Sequence, residues 1–155
     1  MAELITFNPL KPSVFAKWMA HTRAEYVHER VVAGDSPAEA EANASSSLER
    51  LFPNGAPAPR QLVESLTSSG QVVGELWVGV AGADPERWWV WAVEIHEPFR
   101  GRGYGRHAML LAETLARNEG ARSIGLNVFG HNRVARNPYT SLGYAEAALQ
   151  MRKEL

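Results

Sequence analysis

The sequence contains no cysteine among its 155 residues. Disulfides, thiolate metal sites and a cysteine nucleophile are therefore excluded, and a lack of disulfides is typical of cytoplasmic proteins. No apolar run approaches the roughly 20 residues that a membrane-spanning helix needs. Glu3 lies where a signal peptide would be basic or apolar. We therefore expect a cytoplasmic protein with no membrane segment and no signal peptide.

An excess of either charge is also lacking: 16 basic side chains face 17 acidic ones, for a net charge of −1. Nucleic acids and anionic membrane surfaces are bound by basic surfaces, so composition predicts neither as a partner. Hydrophobic residues make up 45% of the chain and charged residues 21%, as in ordinary globular proteins. This length suits one domain with a real core, and we expect a single domain over residues 1–155.

A strand, a glycine-rich turn and a helix are predicted in succession in the second half of the chain. Residues 88–93 are apolar and rich in strand-forming types. Apolar side chains then recur with helical period from Tyr104 to Leu115. Gly120 follows, in the position typical of the residue that ends a helix. Between them lies the stretch from Glu94 to Arg106, in which residues 100–106 form the glycine-rich turn.

The turn has the composition of an anion site. Gly101, Gly103 and Gly105 alternate at the predicted helix N-terminus, where unpaired backbone N–H groups and the helix dipole favour anions. Three arginines add positive charge around it: Arg100, Arg102 and Arg106. The pattern predicts a phosphate or pyrophosphate site.

The glycine-rich turn has three alternative interpretations. A P-loop requires G-x-x-x-x-G-K-S/T, and the chain contains no Gly-Lys pair. Gly103-x-Gly105-x-x-Ala108 fits the looser dinucleotide fingerprint, but that fingerprint normally opens a doubly wound fold and here lies late in a short chain. A tight turn that binds nothing is the third alternative, although it would leave three arginines crowded together.

Two motifs resemble those of one family. Arg100-x-x-Gly103-x-Gly105 resembles the acyl-CoA motif Q/R-x-x-G-x-G/A of the GNAT superfamily of N-acetyltransferases. The segment from Asn132 to Tyr144 resembles that family's N-x-x-A-x-x-L/F-Y-x-x-x-G-F/Y. The spacing between the motifs suits one helix and one strand, as in the family.

The resemblance implies an α+β GNAT fold: a mostly antiparallel central sheet, splayed at the CoA site, with helices on both faces. It implies an N-acetyltransferase that moves an acetyl group from acetyl-CoA, its cosubstrate, to a primary amine in a ternary complex without a metal. The acceptor would be a small-molecule or peptide amine. A non-catalytic acyl-CoA-binding or regulatory module on the same fold is the alternative, and a nicotinamide-binding protein is a distant third.

The resemblance also implies a set of cofactor-binding residues. The turn would hold the pyrophosphate, and a backbone N–H near Ile95 would polarise the thioester carbonyl. The strand that carries Ile95 would splay from the next strand around residues 126–128. Asn132 would steady the CoA arm, or cap a helix, or both. The full set is Val93, Ile95, Arg100, Gly101, Arg102, Gly103, Tyr104, Gly105, Arg106 and Asn132.

Two catalytic residues are expected. Strict alternation would place Glu94 on the same strand face as Trp88 and Val90, where a carboxylate is costly unless paired or useful. It could be the general base for the amine; a water could replace it, or it could be an ordinary ion-pair partner. Tyr139 matches the position of the general acid in many family members, and its alternative is a core residue. Pro138 could kink the helix that carries it.

The rest of the chain supports the same fold class. His21, Glu25 and His28 share a predicted helix face, but the two histidines lie about 10 Å apart, so a solvated face is a better interpretation than a metal site. Only one strand is expected after Tyr144 where the family commonly has two, and the open edge predicts a homodimer.

The other predicted elements are a strand at 4–7, a helix from Ser13 to Val32, a helix from Pro37 to Leu51 capped by Ser36 and Glu39, a hairpin of strands 61–67 and 71–81, and a strand at 123–129.

Overall fold

The structure, a computed structural model, describes residues 4–129 and 138–155. Five strands form one sheet in the order β1-β2-β3-β4-β5, in which every neighbouring pair is antiparallel except β4 and β5. The α+β class and the mostly antiparallel sheet are therefore confirmed. The elements are β1 (Thr6–Pro9), α1 (Pro12–Val32), α2 (Pro37–Leu51), β2 (Gln61–Ser68), β3 (Gln71–Val80), β4 (Arg87–Ile95), α3 (Tyr104–Asn118) and β5 (Ser123–Leu126).

The start of α2 follows the sequence prediction. The Glu39 N–H donates to Ser36 Oγ at 3.2 Å, and the Ser36 N–H donates to Glu39 Oε2 at 2.9 Å, which completes a capping box. Hydrogen bonds to the Glu39 carboxylate from the Ser36 backbone N–H and from the Ser36 side chain lower the pKa of that carboxyl. The predicted Ser13 cap of α1 was wrong, because the helix already begins at Pro12, whose ring favours the first helical position.

Helices cover both faces of the sheet, and each face has its own core. The core beneath α3 contains Leu66, Leu76, Trp88, Met109 and Ala112. The core beneath α1 and α2 is aromatic, and its ring centroids lie 4.7 to 6.0 Å apart; it contains Phe15, Trp18, Phe52, Trp77 and Trp91.

A β-bulge interrupts β4 at Trp91. On the neighbouring strand β3, Trp77 pairs with Ala92 and the next residue, Val78, pairs with Val90. Trp91 is therefore one extra residue in the antiparallel ladder. Such an insertion shifts the alternation of side chains by one position.

The bulge overturns the predicted face of Glu94. Before it, Trp88 and Val90 pack into the core beneath α3; after it, Val93 and Ile95 pack against the same core. Strict alternation had placed Trp88 and Val90 with Glu94, and that prediction was wrong. Glu94 instead faces the α1 side of the sheet, as its bond to a residue of that helix shows.

The hairpin was predicted correctly, and the last strand was not. Ser69 and Gly70 both have positive φ, 49° and 77°, as a two-residue hairpin loop requires. Residues 144–155 contain no strand, and Leu149 and Met151 are exposed. This segment has few β-branched residues, so its strand propensity is low. The homodimer stays a prediction.

The bounds of the two edge strands differ from those predicted from the sequence. The first strand begins at Thr6 rather than at residue 4 and runs on through Pro9, where it pairs with Glu64 of β2. Proline is tolerated there because β1 is an edge strand. The strand expected at 123–129 ends at Leu126, because its pairing with β4 stops there.

Glu64 on β2 is a buried carboxyl whose Oε2 has no hydrogen-bond partner among the described residues. The residue is 6% exposed, and burial raises the pKa of its carboxyl. A carboxyl with a raised folded-state pKa stabilises the fold at low pH, and this contribution is lost as pH rises through that pKa. The contribution of Glu64 to the free energy of unfolding should therefore fall between acidic and neutral pH.

We expect Glu64→Gln to flatten that pH dependence and to raise the free energy of unfolding at pH 7 by about 1 kcal/mol, because the buried charge is removed. Urea unfolding at pH 5 and pH 8 measures both effects. Glu49→Gln, at an exposed position of α2, is the matched control. A steeper pH dependence in Glu64→Gln would contradict the assignment.

Candidate functional site

The sheet opens between β4 and β5. Their pairing runs from Arg87 with Ser123 to Val90 with Leu126 and ends there, although β4 continues to Ile95. The opening coincides with the bulge and with the predicted splay around residues 126–128. The second half of β4 thus presents its β5-side edge without a paired strand among the described residues.

The backbone of Ile95 points into this opening. The His96 N–H donates to the Val73 carbonyl of β3 at 2.8 Å. Successive peptide groups of a strand point to opposite sides, so the N–H groups of Ile95 and Val93 point away from β3. An extended ligand could therefore pair with this edge as another strand would.

A cavity of about 370 Å³ lies at the opening. Six of the predicted site residues line it: Val93, Ile95, Gly103, Gly105, Arg106 and Tyr139. Met109 and Pro138 complete the lining. Sequence reasoning missed Met109, although it lies one helical turn after Gly105 and so faces the same way.

The glycines of the turn have two different roles. Gly101 and Gly103 have φ of 74° and 82°, a conformation that other residues adopt only with strain. Gly105 has no positive φ, and a Cβ built there would meet no atom of the described residues within 4 Å. Neither the backbone nor packing requires glycine at 105, and the open space beside it is part of the cavity.

The N-terminus of α3 has the features of an anion site. Its N-cap residue is Gly103, so no side chain caps the helix. The dipole and the first amides of α3 therefore face the cavity, which Gly103, Gly105 and Arg106 line. A diphosphate fits this donor set.

The three arginines are held by the protein itself. The Arg100 Nε donates to the Ile95 carbonyl at 2.9 Å, and the Arg102 guanidinium lies 5.7 Å from the Phe99 ring centroid. Arg106 donates to Ser141 Oγ at 3.0 Å. Only Arg106 of the three lines the cavity; Arg100 ties the turn to β4, and all three are exposed.

Tyr104 is not among the residues that line the cavity. Its side chain is 4% exposed and belongs to the core beneath α3, where the hydroxyl donates to Ser68 Oγ at 3.2 Å. The side chain therefore anchors the first turn of α3 to β2. Asn132, the remaining predicted cofactor contact, lies outside the described residues.

Tyr139 lies beside the cavity in a helical stretch, residues 138–141. Its ring centroid is 6.1 Å from that of Tyr144, nearly perpendicular to it. Burial raises the pKa of the Tyr139 phenol, so the hydroxyl stays protonated at neutral pH and can donate. Pro138 lies next to it in the lining, so the proline does not remove Tyr139 from the cavity.

Glu94 lies on the opposite side of β4 from the cavity. Its Oε2 is 2.7 Å from Nε2 of His21, a residue of α1. Directly across the ladder, Glu75 of β3 is bonded to His96 at 2.9 Å. Sequence reasoning missed both contacts, because the partners are distant in the chain and His21 was assigned to a solvated face.

The described ranges, 4–129 and 138–155, hold no cluster of three histidine or acidic side chains arranged to bind a metal ion. Nor does any helix within them have the length and apolar character that crossing a membrane requires.

Comparison with known proteins gives a consistent result. Residues 19–144 match the model of the Acetyltransferase (GNAT) family. The uncharacterized N-acetyltransferase YycN of Bacillus subtilis is 30% identical over 154 residues, which cover 97% of this chain and 99% of YycN. YdgE of the same organism, also named an uncharacterized N-acetyltransferase, is 30% identical over 76% of each chain.

Solved structures share the fold. The crystal structure of YycN superposes with a TM-score of 0.86 and covers 97% of this chain and 98% of its own. The aminoglycoside N-acetyltransferase AAC(6')-Iy in complex with CoA is 14% identical, with a TM-score of 0.58 over 100% of this chain and 98% of its own. At that identity the likeness concerns the fold alone.

Proposed function

The chain belongs to the Acetyltransferase (GNAT) family, and we propose that it transfers an acetyl group from acetyl-CoA to a primary amine by direct attack in a ternary complex. One observation carries the proposal: the unpaired edge of β4 and the uncapped N-terminus of α3 line the same cavity. A diphosphate and an extended thioester arm need these two features side by side.

The amides of Gly105 and Arg106 hold the diphosphate at the start of α3, where the dipole stabilises negative charge. The arm then runs along the open edge of β4 and pairs with the backbone of Val93 and Ile95. The Ile95 N–H donates to the thioester carbonyl. That bond strengthens as the oxygen becomes an oxyanion.

The cavity suits direct transfer, because the described residues that line it include no serine, threonine or cysteine nucleophile. Glu94, or a water that it holds, takes a proton from the ammonium, and the neutral amine attacks the thioester carbon. The tetrahedral intermediate collapses with cleavage of the C–S bond. Tyr139 then donates its proton to the leaving thiolate.

The proposed reaction is tested by mixing the protein with acetyl-CoA and a panel of amines and following the release of free thiol. The panel should include aminoglycosides, polyamines, amino acids and peptides, because the acceptor is proposed only as a small-molecule or peptide amine. Thiol release that depends on one amine supports the proposal. Calorimetric binding of CoA without turnover on any amine would favour a non-catalytic acyl-CoA-binding module.

Tyr139→Phe should lower kcat about 10-fold, because a thiolate, whose free-thiol pKa is about 8.5, can leave without full protonation but benefits from a donor. The affinity for CoA should stay the same, since the ring remains. Steady-state kinetics and calorimetry separate the two effects. Tyr26→Phe, on α1, is a control that removes a phenol from outside the cavity lining. An unchanged kcat in Tyr139→Phe would remove the acid role.

A further inference from the structure

We propose that His21 is a positioning residue for Glu94 and relays the proton released by the reaction to solvent. The proposal rests on the proposed function and adds to it a residue of α1, an element that carries neither motif. The proposed route of the proton runs from the acceptor amine to Glu94, from Glu94 to His21, and from His21 to water.

The contact has the geometry of a relay. The 2.7 Å separation of His21 Nε2 and Glu94 Oε2 joins α1 to β4 across 73 positions of sequence. The side chain of Glu94 is 38% exposed and that of His21 is 48% exposed. The imidazole is therefore the more solvated of the two and lies on the far side of the carboxylate from Val93 and Ile95, which line the cavity.

The reaction requires a route for one proton. An ammonium and a thioester become an amide, a thiol and one free proton, while the C–N bond forms and the C–S bond breaks. The nitrogen loses two protons: one replaces the proton that Tyr139 gives to sulfur, and the other leaves through Glu94. When the protonated carboxyl donates to His21 Nε2, the ring can release its Nδ1 proton to water, and Glu94 is ready for another turnover.

The other charged groups nearby leave this route in place. Glu75 lies directly across the ladder from Glu94, and two like charges there would repel each other. Both oxygens of Glu75 are within 3.0 Å of His96 Nε2, so that carboxylate has its own partner. On α1, Glu25 follows His21 by one turn. Since α3 packs on the opposite face of the sheet, His21 is the group that holds Glu94 among the described residues.

The test compares His21→Ala with His28→Ala, which removes a second exposed histidine of the same helix. We expect kcat to fall 10- to 100-fold in His21→Ala, with an unchanged KM for acetyl-CoA and an unchanged melting temperature. Added imidazole should restore part of kcat in His21→Ala and have no effect in His28→Ala. In the Glu94→Gln background, His21→Ala should cause little further loss, because His21 acts through Glu94.

Each contrary outcome has a distinct meaning. An unchanged kcat in His21→Ala would overturn the relay. A loss that imidazole does not reverse, and that adds in full to the loss from Glu94→Gln, would make His21 merely structural and would also overturn it. Wild-type protein that turns over no amine would overturn the proposed function, and the relay with it.

Discussion

Gly105→Val is expected to weaken the binding of acetyl-CoA by about 10²- to 10⁴-fold, because two charge-assisted bonds to the diphosphate are each worth about 1.5–3 kcal/mol. In the part of the chain that the structure describes, a Cβ at this position meets no atom within 4 Å. The branched side chain should therefore be accommodated in the fold, while it occupies the space in which the ligand lies. Calorimetry with CoA measures the loss of affinity, and thermal unfolding should show a nearly unchanged melting temperature.

A glycine just beyond the end of the same helix provides the opposite control. Gly120, at the end of α3, has a φ of 88° and equally open surroundings. Gly120→Ala should lower the free energy of unfolding by about 1 kcal/mol, because alanine is strained there, and should leave the affinity for CoA unchanged. The Gly105→Ala variant should bind CoA nearly as well as the wild-type protein, because the motif allows alanine at this position. Normal CoA affinity in Gly105→Val would place the diphosphate elsewhere.

Glu94→Gln is expected to lower kcat by about 10²- to 10⁴-fold, the range for loss of a general base. Glutamine keeps the shape of the side chain and can still bond to His21, but it cannot take a proton from the ammonium. Binding of CoA should be unaffected, because Glu94 lies on the other side of β4 from the cavity. Initial rates at saturating acetyl-CoA and amine give kcat directly.

The control for Glu94→Gln is Glu86→Gln, which neutralises an exposed carboxylate beside the other end of β4, where it pairs with Arg122 at 3.3 Å. This variant should keep wild-type kcat. If Glu94→Gln also kept wild-type kcat, a water without Glu94 would be the base. The histidine relay would then lose its donor as well.

Local features were readable from the sequence because they depend on neighbouring residues. Ser36 and Glu39 form the predicted capping box, and Ser69-Gly70 forms the predicted hairpin loop. The turn from Arg100 to Gly105 could be predicted because alternating glycines directly before a helical pattern are typical of a tight backbone turn. In each case the spacing along the chain is itself the geometry.

The face of the sheet on which the Glu94 side chain lies could not be predicted in this way. The bulge at Trp91 reverses which side chains of β4 face α3, and a bulge is set by how two strands pair. The strand expected after Tyr144 failed for a related reason, since a strand needs a partner edge as well as a suitable sequence.

The sequence by itself determined the glycine-rich turn, the family resemblance and most element bounds, because these follow from residue type and short-range spacing. Only the tertiary structure decided that β4 carries a bulge at Trp91, that Tyr139 and Gly105 share a cavity, and that Glu94 meets His21. Those contacts join residues far apart in the chain, and their formation depends on strand register and helix packing, which no local pattern encodes.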